Sequence, residues 1–201
     1  MGRIVVSEFV SLDGVMEDPG GSEGTRNAGW TFRFDRGSEG DRFKLDEVLD
    51  AEALLLGRVT YEGFAKAWPT MDDPVGFAAK MNAMPKYVVS NSLSDADAAW
   101  HNSKVVRGDA ATELRALKDA VAGDLLVAGS ASLVQTLVEH GLVDEFRLMV
   151  FPIVLGSGKR LFGDVSEAPV LALDGVSTIG AGIVILTYHP APAGSARENA
   201  A

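Results

Sequence analysis

Leu54-Leu55-Leu56-Gly57-Arg58-Val59-Thr60-Tyr61-Glu62 is an apolar run that stops at a glycine and passes directly into a helix-compatible segment. Leucines in succession, without polar alternation, predict a strand covered on both faces, the pattern of a parallel sheet. At the corner itself, Gly57 permits close backbone approach, Arg58 offers a planar fork for phosphate and Thr60 is placed to cap a helix. A second corner of the same kind is Val127-Ala128-Gly129-Ser130-Ala131. Its small residues leave a helix N-terminus uncovered, so the amides and their partial positive charge of ~0.5 can face an anion. Held together, the two corners suit a pyrophosphate; taken singly, each reads first as tight packing.

Outward from these corners, strands and helices alternate. Ile4 to Val10 is β-branched and apolar and ends at the turn signal Asp13-Gly14, which predicts a first buried strand. Glu17 to Gly40 is rich in Gly and charge but holds Trp30, Phe32 and Phe34, and reads either as a binding or lid loop or as a disordered excursion. Helices are expected over Asp41–Leu49 and Thr60–Ala67, the second stopped by Trp68-Pro69, and another between Asp109 and Ala122. Tyr87–Val89, Val105–Val106 and Leu125–Ala128 read as short buried strands. Gly129-Ser130 opens a helix with Leu133, Val134, Leu137 and Val138 on one face, closed by Gly141. Phe146–Leu155 reads as a long strand, followed by a closing pair at Val170–Leu173 and Ile183–Tyr188. The pattern implies an α/β fold of three layers: a mostly parallel central sheet with an antiparallel C-terminal edge and helices on both faces. We expect one domain over 1–190 and a disordered small-residue tail over 191–201.

Composition narrows the chemistry. Lys and Arg number 18 against 28 Asp and Glu, a net charge of −10, which disfavours nonspecific binding to nucleic acid or anionic membrane. With no cysteine, disulfides, thiolate metal sites and Cys nucleophiles are excluded. Neither a signal-peptide pattern at Met1 to Val10 nor an apolar stretch of spanning length is present, so a soluble, cytoplasmic protein is expected. His101, His140 and His189 are far apart and lack metal-ligand spacing, so no metal is expected. Gly156-Ser157-Gly158-Lys159-Arg160 fails as a P-loop, because Ile153 stands where the first glycine belongs and Arg160 where Ser or Thr belongs. Gly180-Ala181-Gly182 lacks the third glycine of a dinucleotide fingerprint, and no G-x-S-x-G elbow exists.

These residues carry a resemblance. The segment Leu54 to Glu62 resembles the M-G-R-x-T-W-E stretch of dihydrofolate reductases, and Val127 to Ser130 resembles their G-G-G turn. Closer still is the C-terminal reductase domain of the bifunctional riboflavin-biosynthesis deaminase-reductase and its stand-alone relatives. Ser11-Leu12-Asp13-Gly14, Gly129 to Leu133, Leu142-Val143-Asp144-Glu145 and Pro152 to Gly158 all fit it, in order, over residues 3 to 189.

The resemblance implies an NADPH site. Gly57, Arg58 and Thr60 would hold the cofactor's phosphates, and Ser90 and Asn91 would lie near the 2′-phosphate and adenine, with Arg107 as a second cation there. Gly129, Ser130 and Ala131 would present backbone donors to the pyrophosphate, and the Ala128–Gly129 bond corresponds to one that is cis in dihydrofolate reductases. Phe9 and Met16 would flank the nicotinamide. The implied reaction is hydride transfer to a C=N or C=O bond, which also needs an acid. Counted back from Gly57, Asp41 occupies the place of the dihydrofolate reductases' substrate carboxylate; its other reading is a helix-start acid favoured by the dipole. Trp30, Phe34 and Trp68 read either as stacking partners for a planar heterocycle or as core. A homodimer is expected, through Phe146–Leu155 or the terminal strand pair.

Departures point elsewhere. Riboflavin reductase domains typically show Glu-Gly-Gly-Ser at the second corner, where this chain has Val127-Ala128-Gly129-Ser130. The zinc deaminase half cannot exist without cysteine. The first expectation is thus an NADPH-dependent reductase of a small heterocycle or carbonyl compound. The alternatives are an accessory ligand-binding protein on the same fold, which the missing glutamate favours, and a weak dihydrofolate reductase, which Asp41 favours.

Overall fold

The apolar runs become the strands of one sheet in a computed structural model that describes residues 1–192. In chain order they are β1 (Arg3–Ser11), β2 (Ala53–Gly57), β3 (Lys86–Val89), β4 (Ser103–Val106), β5 (Asp124–Val127), β6 (Glu145–Phe151), β7 (Leu171–Ile179) and β8 (Ile183–Pro190). Across the sheet the order is β4-β3-β2-β5-β1-β6-β8-β7. The five pairings from β4 to β6 are parallel, and β6–β8 and β8–β7 are antiparallel. This is the expected α/β architecture with its antiparallel edge.

Five helices cover the faces: α1 (Gly37–Asp50), α2 (Arg58–Ala67), α3 (Phe77–Ala83), α4 (Ala110–Ala120) and α5 (Ala131–Glu139). Alternation along the central strands sends successive side chains to opposite sides. Ile4, Val6, Leu55, Leu125 and Val127 pack with Leu114 of α4 and Val134 and Leu137 of α5. Val5, Leu54, Leu56 and Leu126 pack with Val48 of α1, Tyr61 of α2 and Met81 of α3. Leu54, Leu55 and Leu56 are fully buried, as a run without alternation requires. Among the described residues no helix is long and apolar enough to cross a membrane.

Several boundaries differ from expectation. The strand expected over Phe146–Leu155 ends at Phe151, because Pro152 has no N–H to give to the ladder and Ile153 N–H turns back to Phe151 O at 2.8 Å. The helix expected from Asp41 begins at Gly37, where φ is +65° and the Asp35 carboxylate accepts from Gly37 N–H at 2.8 Å. α3 went unforeseen: seven residues show too little periodicity, and its first-turn amides are held by Asp73, which accepts from Phe77 and Ala78. β7 runs to Ile179 rather than stopping at Leu173, its far half carrying Ser177 and Thr178 on an exposed edge. The 17–40 segment is built rather than loose. Asp18, buried at φ +52°, accepts from Glu23 and Thr25, and a turn of 3₁₀ helix spans Trp30–Arg33. The tail expected from 191 lies, from 193 onward, outside the described residues.

Candidate active site

Parallel strands end together, and their carboxyl ends are where α/β sheets present ligands. Here Val106, Val89 and Gly57 are in register across β4, β3 and β2, and Val127 closes β5 opposite Leu55 on one side and Val6 on the other. The residues just past those ends are Arg107, Ser90, Arg58 and Ala128, a row that reaches from β4 toward β1. At the usual ~4.8 Å between strands, β4 to β1 is roughly 19 Å. β1 continues past the row, since Ser7 to Ser11 pair with β6 but have no β5 partner.

The two corners are brought into contact. Gly57 N–H donates to Gly129 O at 3.1 Å. A Cβ at Gly57 would overlap the Ser130 hydroxyl and stand 2.9 Å from Ser130 Cβ, and one at Gly129, whose φ is +95°, would stand 2.6 Å from Thr60 Oγ1. Both glycines are therefore needed for the corners to meet. Gly57 is the N-cap of α2 and Ser130 that of α5, and neither helix has a side-chain cap bond, so two sets of first-turn amides lie side by side without a side-chain acceptor. Ser130 Oγ is 2.9 Å from Ser132 Oγ. The cis bond is Gly129–Ser130, one residue later than the Ala128–Gly129 bond expected from the resemblance; the positive φ that only glycine accepts readily falls just before it, at Gly129.

Arg58 stands exposed at the head of α2 and is bonded to Glu62 at 2.9 Å, an exchangeable surface pair. Ser90 Oγ holds the turn after β3 by accepting from Ser92 and Leu93. Asn91 reaches across to β4's end, its Oδ1 accepting from Gly108 N–H at 2.9 Å. Arg107 donates to Leu93 O at 2.7 Å and pairs with exposed Asp95 at 2.9 Å. These three residues are thus gathered on one turn pair beside the first corner.

At the other end, a knot secures the turn after β1. The Asp13 carboxylate accepts from Ser11 Oγ at 2.7 Å, Leu155 N–H at 3.0 Å and Gly156 N–H at 2.9 Å. Arg160 donates to the Asp13 carbonyl, and Met16 N–H donates to Lys159 O at 2.9 Å. The Ser11 hydroxyl, followed by these backbone donors, pulls the Asp13 carboxyl down to about 2. Two motifs far apart in sequence, Ser11–Gly14 and Pro152–Gly158, therefore act as one structural unit. Met16 is buried beneath this knot; Phe9 is half-buried, with Lys44 Nζ at 5.0 Å and Arg36 Cζ at 5.8 Å from its ring centre.

The acids are distributed otherwise than expected. Asp41 is exposed and paired with Arg36 at 2.5 Å, because α1 starts four residues early and turns Gly40, Lys44, Glu47 and Val48 inward instead. Glu47 is buried, accepts from Ser7 Oγ at 2.8 Å on both oxygens and is ion-paired with Lys44. Lys44 also donates to Ser7 Oγ at 2.9 Å. On the next residue of β1, Glu8 is 7% exposed, and its Oε1 has no hydrogen-bond partner. Burial pushes its carboxyl up to about 8, against the pull of Lys44 and the Gly129 N–H and with a further push from Glu47. Sequence reasoning missed Glu8; the one available signal was a charged residue at an inward position of an apolar strand.

Of the aromatics read either as stacking partners or as core, all three pack against other rings. Trp30 is fully buried, its indole N–H donates to Glu17 O at 2.9 Å, and its ring meets Phe151 edge-on at 5.2 Å. Phe34 meets the same Phe151 at 5.8 Å. Trp68 lies against Phe64 and Phe77, 5.9 and 5.1 Å away, and fastens α2 to α3. Each large ring gains more from contact with another ring than from standing free at a surface.

Comparison with known proteins agrees with this geometry. A protein of Shewanella sp. PV-4 named for riboflavin biosynthesis superposes with a TM-score of 0.73 at 21% identity, over 94% of this chain and 99% of that one. A pyrimidine reductase-like protein of Corynebacterium diphtheriae gives 0.60 at 14% identity, over 94% and 92%. Dihydrofolate reductase of Enterococcus faecalis, complexed with NADP(H) and RAB-propyl, gives 0.55 at 16% identity, over 94% and 97%. At these identities the likeness is one of fold, which is that of dihydrofolate reductase. In sequence, YyaP of Bacillus subtilis (strain 168) is 30% identical over 192 residues, 93% of this chain and 94% of its own. YwjB of the same organism is 29% identical over 181 residues, 89% and 92%. The profile of the RibD C-terminal domain matches residues 3–185, nearly the whole described chain, and the protein accordingly belongs to this reductase-like RibD C-terminal domain family.

Proposed function

We propose that the protein is an NADPH-dependent reductase that reduces a C=N or C=O bond in a small heterocyclic or carbonyl compound. The observation that carries this reading is the contact between Gly57 and Gly129, which sets the uncapped N-termini of α2 and α5 side by side. Two such termini, each with a partial positive charge, suit the two phosphates of a dinucleotide in an otherwise acidic protein. The row of strand ends fits the remainder. Arg107, Ser90 and Asn91 would receive the 2′-phosphate and adenine, Arg58 and Thr60 the phosphates, and Phe9 and Met16 would flank the nicotinamide beside β1. When bound, the cofactor supplies a hydride; the chain's part is to align the acceptor, exclude water and provide a proton.

Membership of the RibD C-terminal domain family and the names of the structural neighbours support a pyrimidine-type acceptor, and 5-amino-6-(5-phosphoribosylamino)uracil and dihydrofolate are the first compounds to assay. The test is nucleotide-dependent thermal stabilisation: NADPH is expected to raise Tm more than NADH. An equal response to both, or none, overturns the reading. We further read the chain as a cytoplasmic homodimer. Support for assembly comes from the edge of the sheet, where Val170, Leu173 and Val176 on or beside β7 stay exposed, and light scattering tests it.

A further inference from the structure

We infer that Glu8 is the catalytic acid, placed on the part of β1 that outruns β5 so that its buried carboxyl gives a proton to the substrate heteroatom as the neighbouring carbon is reduced. The inference rests on the reductase reading above and deepens it.

Reduction of C=N or C=O leaves an electron pair on the heteroatom, and a positioned acid removes that charge as it develops. Three acidic side chains deserve comparison. Asp41 is exposed and held by Arg36, and Glu47 has both oxygens occupied by Ser7 and an ion pair to Lys44. Glu8 alone of the three has a buried oxygen without a partner. A buried carboxyl is costly when ionised and unpaired, and a buried polar atom left unsatisfied calls for a ligand or a role.

Location adds the second half. β5 stops opposite Val6, so the strand edge at Glu8 has no neighbour on that side, and the chain facing it is the Ala128–Gly129 turn. The Gly129 backbone N–H lowers the Glu8 carboxyl, against the larger effect of burial. Glu8 therefore stands at the second corner on the face of β1 that Val6 and Val10 share with Met16, the residue read above as flanking the nicotinamide, whereas Phe9 points to the other face. The charged groups acting on it are Lys44 and Glu47, both from α1. Burial outweighs the lysine, so the acid keeps its proton at neutral pH.

The step balances. The acceptor's π bond breaks, a C–H bond forms with the hydride from NADPH, and an X–H bond forms with the Glu8 proton. The electron pair in the new C–H bond would be the one the nicotinamide gives up as hydride, Glu8 is left as a carboxylate, and water reprotonates it before the next turnover.

The test uses the intact protein saturated with NADPH, with Glu8→Gln as the variant and dihydrofolate or the phosphoribosylaminouracil, whichever the wild type reduces, as acceptor. The expected result is a fall in kcat of about a hundredfold with the NADPH-induced rise in Tm retained. Wild-type kcat should also drop tenfold per pH unit above about 8, a limb the variant lacks. Carbon-13 NMR of the glutamate carboxyls, with Glu8→Gln to assign the resonance, should find Glu8 neutral at pH 7 in the NADPH complex. An ionised Glu8 at that pH, or a variant with wild-type kcat, overturns the inference. Absence of any NADPH-induced stabilisation in the wild type would instead overturn the cofactor reading, so the two failures are distinguishable.

Discussion

Val6 of β1 and Val127 of β5 are the last residues paired between those two strands, and from there β1 runs on alone with β6 as its only neighbour. The Gly129 turn follows the end of β5, so the second corner and the buried acid Glu8 lie at the same end of the central strands.

If the row of strand ends holds NADPH, its two arginines have separable effects. Arg107→Ala should cost NADPH on the order of tenfold in affinity while leaving NADH unchanged, since its guanidinium serves the 2′-phosphate alone. Arg58→Ala should weaken both nucleotides together. Isothermal titration with the two cofactors separates these outcomes, and a uniform loss in Arg107→Ala contradicts the placement.

Gly57→Ala tests whether the corners must touch. Its new methyl group would overlap the Ser130 side chain, and overpacking of this sort costs about 1–3 kcal/mol. Urea denaturation should show that loss, and the NADPH-induced stabilisation should shrink with it because the N-termini of α2 and α5 are pushed apart. Wild-type stability in the variant would mean that the turn relaxes freely.

Asp13→Asn should loosen the knot after β1. Because the folded carboxyl sits at about 2, below the unfolded value of 3.8, its contribution is present above pH 3.8 and disappears as pH falls toward 2. The wild type should lose stability across that window more steeply than the variant, as followed by circular dichroism. At pH 7 the variant should be the less stable of the two.

Two buried groups bend the stability profile above pH 4.5 in opposite directions. Folded Glu8 keeps its proton to about 8, whereas an unfolded glutamate ionises at 4.5, so its contribution is full below 4.5 and falls by about 1.4 kcal/mol per pH unit up to about 8. Lys86 is fully buried, with Nζ donating to Asn82 O and His101 O and lying 4.2 Å from the Trp100 ring. Burial still lowers it from 10.5 to about 8, so the unfolded chain binds the extra proton above 8 and stability rises with pH from there to 10.5. Urea melts from pH 5 to 10 should show the falling limb reduced in Glu8→Gln and the rising limb reduced in Lys86→Met. A variant that tracks the wild type across its own limb contradicts the burial argument for that residue.

Much of the fold was legible because its signals are local. Leu54 to Leu56, with no polar residue among them, can be strand only if both faces are covered, and glycine followed by helix-forming sequence marks each corner from within a few residues. The paired motifs Ser11–Gly14 and Pro152–Gly158 were legible too, but only as a resemblance; the Asp13 carboxylate that ties them together appears when the chain is folded. α3 was hidden by its shortness, and the true start of α1 by a positive φ at Gly37 that displaced Asp41 from the position counted for it.

By itself the sequence determined the parallel α/β sheet, its antiparallel edge and the two glycine corners, since each depends on backbone geometry that neighbouring residues dictate. Tertiary structure alone decided that the corners touch, that Trp30 is core, and that the buried acid is Glu8 rather than Asp41. The reason is that a side chain's water exposure is set by whatever packs against it. For Glu8 the neighbouring segments are β5, which ends opposite Val6, and the Gly129 turn that follows it, both remote from β1 in sequence.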